Sequence, residues 1–277
     1  VSQVIALFAG RGELPLKIIT HCYEQEQPLF LVAFEGQTDS DFVIQQQPYV
    51  KGHLWTHFGA VGKTLRYLKD HKVTHIVMAG SMNRPSLSEL KLDWKGTQWA
   101  AKMGLKALGD DGLLTGIVQL LKSEGLNVIS ATDILDNLLA PEGVMGHHQP
   151  EEADWQDIRR GKEIARLLGV GDIGQAVVVQ QGLVLGVEAI EGTEGLLARC
   201  GQLRREGRGG VLVKMAKPDQ SRAVDLPTIG VATIQQAKAA GLCGIAVESG
   251  STQILDQKAV IKAADEAGLY LVGVSSS

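Results

Sequence analysis

Two hydrophobic rhythms alternate along this chain. Residues 4–9 (VIALFA), 29–34 (LFLVAF) and 75–79 (HIVMA) are short, nearly unbroken apolar runs, the pattern of strands covered on both faces. Between the first two, Leu14, Ile18, Ile19 and Cys22 recur at helical spacing behind Gly10-Arg11-Gly12, with Pro15 near the first helical turn. The grammar repeats farther on: apolar runs at 126–130, 245–247 and 269–274 follow Gly125, Gly241 and Gly268, glycines suited to the left-handed cap that turns a helix into the next strand. Residues 176–180 and 183–187, joined by Gln181-Gly182, read as a hairpin.

The pattern lapses between 140 and 152 into Pro141, Gly143, Gly146, His147, His148 and Pro150, before a polar helix around 154–168. This predicts an α/β chain of two α/β domains. Residues 1–135 form an N-terminal domain on a Rossmann-like parallel sheet, 136–165 a linker and connecting helix, and 166–277 a C-terminal domain on a mixed sheet.

Composition narrows the class. The 277 residues are 44% hydrophobic and 21% charged with a net charge of −4, which fits globular domains and offers no broad field for nucleic acid or an anionic surface. Any anion site must be local. Cys22, Cys200 and Cys243 are three cysteines without C-x-x-C spacing, as expected of reduced thiols in a cytoplasmic protein. No signal-like leader or membrane span is expected.

Several motifs point to anions. Gly10-Arg11-Gly12 follows a strand, and Glu35 ends the next one, as in a dinucleotide fold, but Pro15 stands at the third glycine. The turn is thus a phosphate contact assisted by Arg11 or simply a tight βα turn. Gly62-Lys63-Thr64 resembles a phosphate loop, yet His57 replaces its first glycine, so a helix start with a solvated Lys63 is expected. Gly80-Ser81-Met82-Asn83-Arg84-Pro85 follows the third strand, at the edge where open α/β sheets bind ligands, or is a surface turn. Asp110 and Asp111, between Gly109 and Gly112, would cap a helix or bind Mg²⁺. The pair His147-His148 reads as solvated turn residues.

The second half is richer. In Glu188-Ala189-Ile190-Glu191-Gly192-Thr193, Glu188 and Ile190 cannot both face a core. After the apolar run 211–213, residues 214–225 hold Lys214, Lys217, Asp219, Gln220, Arg222 and Asp225, pinned by Pro218 and Pro227. Cations neutralise phosphate oxygens and a carboxylate holds Mg²⁺ or positions water, so this segment is a phosphate-handling site or else a solvated ion-pair loop.

Residues 9–15 (AGRGELP), 188–193 (EAIEGT) and 212–230 (LVKMAKPDQSRAVDLPTIG), with 80–85 and 109–114, resemble the LpxI-type UDP-2,3-diacylglucosamine diphosphatases over nearly the whole chain. The resemblance implies Mg²⁺-dependent hydrolysis of the diphosphate of UDP-2,3-diacylglucosamine to UMP and 2,3-diacylglucosamine 1-phosphate (lipid X), with water attacking the β-phosphorus, on the route to lipid A in Gram-negative bacteria. It implies an N-terminal domain for the UDP side, a C-terminal domain for the acylated sugar phosphate, and a cleft between them. Asp225 matches the family's essential aspartate and is expected, with Asp110 or Asp111, to bind Mg²⁺ or orient the water. Lys214, Lys217 and Arg222 are expected to stabilise phosphoryl charge, and Gly10, Arg11, Gly12, Ser81, Asn83, Glu191, Thr193 and Gln220 to contact substrate. The expected partner is this glycolipid nucleotide and no nucleic acid, in a cytoplasmic protein with room for peripheral contact at the inner membrane and for an oligomer. Two other readings stand beside it: a nucleotide-sugar binding protein without hydrolysis, and, resting on the G-x-G turn and Glu35, a nicotinamide-dependent oxidoreductase.

Overall fold

The computed structural model describes residues 3–83, 91–103, 110–218 and 226–276, without the side chains of 103 and 110–113. The chain divides into two compact units, Val1–Asp136 and Asn137–Ser277.

In the first unit, five parallel strands lie in the order β3-β2-β1-β4-β5: β1 (Ile5–Ala9), β2 (Leu29–Phe34), β3 (Gly52–Thr56), β4 (His75–Ala79) and β5 (Asn127–Ile129). The helices between them are α1 (Leu14–Glu24), α2 (Ser40–Gln46), α3 (Val61–Asp70), α4 (Trp94–Met103) and α5 (Asp110–Ser123). Every residue of β1 and β2 is buried, which is why these strands are unbroken apolar runs. One face carries Ala6, Phe8, Val32, Phe34 and Ile76 against Leu68 of α3, Trp99 of α4 and Leu120 and Leu121 of α5. Strand β3 is a half-buried edge that the sequence reading did not anticipate, because Gly52 and His53 break its apolar run. The strand order reverses at β1 and β4, so the loops leaving their carboxyl ends flank the point where open α/β sheets hold ligands.

The second unit carries a six-stranded mixed sheet, β6-β13-β11-β9-β7-β8. Its strands are β6 (Gly143–Met145), β7 (Ala176–Gln180), β8 (Leu183–Val187), β9 (Val211–Lys214), β11 (Gly244–Glu248) and β13 (Tyr270–Val274), and β10 (Thr228–Ile229) pairs separately with β12 (Gln253–Ile254). β9, β11 and β13 are parallel, while β6 and β7 run antiparallel to their neighbours. The hairpin β7-β8 turns on Gln181 and Gly182 at φ +55° and +75°, the primed turn that matches strand twist.

Alternate residues of this sheet feed two cores. Val177, Val179, Val211, Val213 and Val272 pack on α6 (Glu152–Val170) through Ile158 and Ala165. Val178, Leu212, Ile245, Val247 and Leu271 pack on α7 (Gly192–Gln202), α8 (Val231–Ala239) and α9 (Gln257–Ala267). Gly161 brings α6 onto the sheet: a Cβ there would lie 2.4 Å from Val213 Cγ2. Residues 136–165, expected to be a linker and connecting helix, are therefore largely part of the second unit. β6 is the sheet's edge strand, paired with β13, and α6 is one of its layers. Three residues of strand in a Gly-rich stretch leave too short a pattern to read.

Candidate active site

In the first unit, the loops at the carboxyl edge are laced together. Arg11 and Ser81 form a two-way backbone bridge of 2.9 Å each way, and Gly10 N donates to Ala79 O at 2.8 Å. A Cβ at Gly10 would lie 2.5 Å from Ser81 O, and one at Gly80 (φ +91°) would lie 2.5 Å from Arg11 O. Close packing of the two loops thus explains the lack of a side chain at Gly10. Gly12 (φ +100°) has open space where a side chain would begin. The Arg11 guanidinium donates to Gly36 O at 2.9 Å, and Asn83 N donates to Gln37 Oε1 at 2.7 Å. Thr38 Oγ1 accepts from Phe34 N and donates to Ala9 O, tying β2 to β1. Around Gly10, Arg11, Gly12, Thr38 and Asp39 lies a cavity of about 500 Å³. Five of the expected substrate residues, Gly10, Arg11, Gly12, Ser81 and Asn83, thus belong to one connected crevice rim.

The false phosphate loop is resolved by three hydrogen bonds. Lys63 Nζ donates to Trp55 O at 2.7 Å, and the Asp93 carboxylate accepts from Gly62 N and Gly96 N, each at 2.7 Å. The protein's own carboxylate occupies the helix N-terminus that a phosphate would need. Asp110 and Asp111 are the first two residues of α5; their side chains lie outside those described.

In the second unit, β8, β9, β11 and β13 all end at one edge, and the chemistry collects there. Lys214, the last residue of β9, is buried; its ammonium donates to Thr193 Oγ1 at 3.0 Å and to Thr228 O at 3.1 Å. Thr193 Oγ1 in turn donates to Glu188 Oε1 at 2.6 Å, and Glu188 Oε2 accepts from Gln175 N at 3.1 Å. Glu188 is 7% exposed and Ile190 fully exposed, so the acid is the residue that turns inward. Its carboxylate orients Thr193, which orients Lys214. Lys217, also buried, pairs with Asp172 Oδ1 at 2.7 Å. Glu248 ends β11, is 8% exposed, and accepts from Ala216 N at 3.0 Å through Oε2. Met215, Ala216, Lys217, Leu226, Glu248 and Ser251 line a cavity of about 760 Å³ whose far wall is α6.

The edge therefore brings Lys214, Lys217 and Thr193 together. Glu191 is at the same edge, but its carboxylate is engaged by Arg199 at 2.6 Å. Hydrogen bonds from its own backbone N–H and from Arg199 hold that carboxyl below the usual range. Gln220, Arg222 and Asp225 lie in segment 219–225, outside the described residues. Sequence reasoning missed Asp172 and Glu248, and read Glu188 only as part of an acidic strand end suited to a hydroxyl or phosphate contact. The available signal was an acid placed directly after an apolar strand, as in Val247-Glu248.

Among the described residues, no three His, Cys, Asp or Glu side chains gather as a metal cage. Glu248, a carboxylate on the cavity wall, offers the hard oxygen donor that Mg²⁺ prefers. The opposite edge of the sheet is a different environment. Arg208 grips Asp154 through Nε and a second nitrogen at 2.7–3.1 Å, and Asp154 accepts from Glu151 N at 2.7 Å. The arginine-rich loop before β9 thus serves structure at the end away from Lys214. His147, expected to be solvated, is exposed and pairs with Asp265 at 2.7 Å.

The family model for the LpxI N-terminal domain matches residues 4–138, and that for the LpxI C-terminal domain matches 141–272. A relative from Caulobacter vibrioides, the UDP-2,3-diacylglucosamine pyrophosphatase LpxI, is 36% identical over 277 residues, covering 98% of this chain and 97% of the relative. Among the described residues, no helix is long and apolar enough to cross a membrane.

Proposed function

The chain belongs to the LpxI family, and from that premise we propose that it is a UDP-2,3-diacylglucosamine pyrophosphatase acting on the route to lipid A. It releases UMP and 2,3-diacylglucosamine 1-phosphate. The observation that carries this reading is the match of both family domains and of the Caulobacter relative along nearly the full chain.

In the proposed reaction, water attacks the β-phosphorus. A new P–O bond forms to the sugar-side phosphate, the bridging P–O bond breaks, and UMP leaves with the bridging oxygen. The first unit takes the nucleotide at the crevice around Arg11 and Gly12, and the second takes the acylated sugar phosphate at the Lys214 edge. Lys214 and Lys217, buried and held by Thr193 and Asp172, present fixed positive charge with Arg222 to phosphate oxygens. Charge set in place beforehand stabilises a phosphoryl transition state without reorganisation. Asp225 is the proposed ligand of Mg²⁺ or the group that orients the attacking water, with Asp110 and Asp111 as further candidate carboxylates. Bound Mg²⁺ would supply charge neutralisation at the diphosphate.

The reading is tested by UMP release from UDP-2,3-diacylglucosamine, with and without EDTA, beside UDP-N-acetylglucosamine. Equal rates on the two substrates would remove the lipid assignment, and no UMP from either would favour a binding protein. In ¹⁸O-water the label is expected in 2,3-diacylglucosamine 1-phosphate. Label in UMP would mean attack at the other phosphorus.

A further inference from the structure

The exposed face of α6 changes character along its length. Its inward stripe, Ile158, Gly161, Ala165 and Gly169, is buried throughout. On the outward side, Glu152, Gln156, Arg159, Arg160 and Glu163 are polar, but Leu167, Val170 and then Ile173 follow at 67, 74 and 55% exposure. Large apolar residues scattered singly on a surface need no explanation, whereas three within seven residues form a patch. Leu167 and Val170 are three residues apart on the helix and so share a face, and the Ile173 side chain folds back over Gly171, where a Cβ would lie 3.2 Å from Ile173 Cδ1.

Two further observations say what covers the patch. First, between 159 and 166 the helix carries four cations, Arg159, Arg160, Lys162 and Arg166, against one carboxylate, Glu163, in a chain whose net charge is −4. Arg159, Lys162 and Arg166 also line the cavity of about 760 Å³ with Leu167, and Arg166 donates to Ser276 O at 3.3 Å, so the band runs from the candidate site to the exposed face. The ion pairs of Arg159 and Arg160 are with exposed acids, Glu152 and Glu163, contacts that exchange readily with other anions. A cationic band beside an exposed apolar tip is the chemistry of a helix that lies on an anionic bilayer. Second, the patch adjoins the candidate site. Gly169 packs on Pro218 and Lys217, with a Cβ there 2.9 Å from Pro218 Cδ, and Asp172, between Val170 and Ile173 in the chain, pairs with Lys217. Ile190, fully exposed, follows β8 at the same edge of the sheet.

We propose that the carboxyl-terminal end of α6 and the turn after it, Leu167, Val170 and Ile173 with the cations before them, dock the protein on an anionic lipid bilayer. Docking brings the Lys214–Lys217 edge against the surface from which an acylated substrate is drawn. The proposal rests on the glycolipid reading for its purpose, but its physical content, vesicle binding, stands apart from it.

The test uses the full chain without substrate, in flotation with vesicles of phosphatidylethanolamine and phosphatidylglycerol and with vesicles of phosphatidylcholine alone. Binding is expected to the anionic vesicles, to weaken with salt, and to fall roughly tenfold in Val170→Gln/Ile173→Gln. The single variant Val170→Gln is read beside it, so that a folding defect in the double variant, visible in its melting temperature, does not decide the outcome. Undiminished vesicle binding by a folded Val170→Gln/Ile173→Gln variant overturns the proposal. So does a wild-type dimer that the substitutions dissociate while vesicles are ignored, because the patch would then face a second copy. UMP release from detergent-dispersed substrate is expected to be unchanged in the double variant and lowered only when the substrate is presented in vesicles. Vesicle binding without any UMP release would sink the enzymatic reading and leave the docking surface standing.

Discussion

Lys217 Nζ lies 2.7 Å from Asp172 Oδ1, an ion pair that ties the segment after β9 to the turn that ends α6. Lys217 is 8% exposed, so its ammonium is costly to bury and the pairing fixes where its charge sits. Asp172→Asn keeps the shape and removes the charge. A displaced phosphate contact costs about 10–100-fold in turnover, and kcat for UMP release is expected to fall by that factor with KM little changed. A kcat for Asp172→Asn equal to wild type would show that this pair only supports the fold.

The chain Glu188 to Thr193 to Lys214 is a second positioning device. Thr193→Val removes both the hydroxyl that Lys214 donates to and the proton that Glu188 accepts, taking one hydrogen-bond partner from each of two buried charged groups. The loss is about 2 kcal/mol of stability, with a fall in kcat of about tenfold or more. Thr193→Ser restores the hydroxyl and is expected to recover most of both. A Ser variant as impaired as Val would mean that the methyl group, through packing, is what the site requires.

Asp225 is the proposed centre of the chemistry. Asp225→Asn and Asp225→Ala are expected to lower turnover by about 10²–10³. Titrating Mg²⁺ separates its two candidate roles. A metal ligand raises the Mg²⁺ concentration for half-maximal rate, whereas a water-orienting group lowers kcat at an unchanged Mg²⁺ dependence. Near wild-type turnover in a folded Asp225→Ala removes Asp225 from the mechanism.

How much of this was legible in the sequence depends on burial. β1, β2 and β4 are covered on both faces and end in glycine or an acid, so their apolar runs marked their limits to within a residue; the hairpin was marked by Gln181-Gly182. β3 and β6 escaped because an edge strand with glycine and half-exposed positions has no pattern to show. At the site, Lys214 and Thr193 stood out as charge and hydroxyl beside apolar runs. Glu248 and Asp172 did not, since a single acid after a strand or helix reads as a surface residue until the fold buries it, as at Glu248, or pairs it with a buried cation, as at Asp172. The same blindness hid the use of Gly10, whose partner Gly80 lies 70 residues away and whose close approach no local pattern encodes.

The opposite edge of the second sheet gives a test in which stability and activity should part. Asp154 is 3% exposed. Burial alone would raise its pKa, but hydrogen bonds from Arg208, from Glu151 N and from Cys243 outweigh that and hold the carboxyl below the usual range. A folded-state pKa below the unfolded value contributes stability that is present above about pH 4 and is lost as the pH falls through the folded value. Asp154→Asn, which leaves Arg208 without its buried carboxylate, is expected to lower stability by about 3 kcal/mol at pH 7. That deficit should shrink below about pH 4, as wild-type Asp154 takes up its own proton. Denaturant melts of both proteins from pH 7 down to about pH 3 read this directly. Turnover of Asp154→Asn under conditions where it remains folded is expected to stay within about twofold of wild type, because Arg208 and Asp154 sit at the end of the sheet away from Lys214. A deficit that persists undiminished at low pH would mean that the Asp154→Asn variant fails by packing rather than by charge.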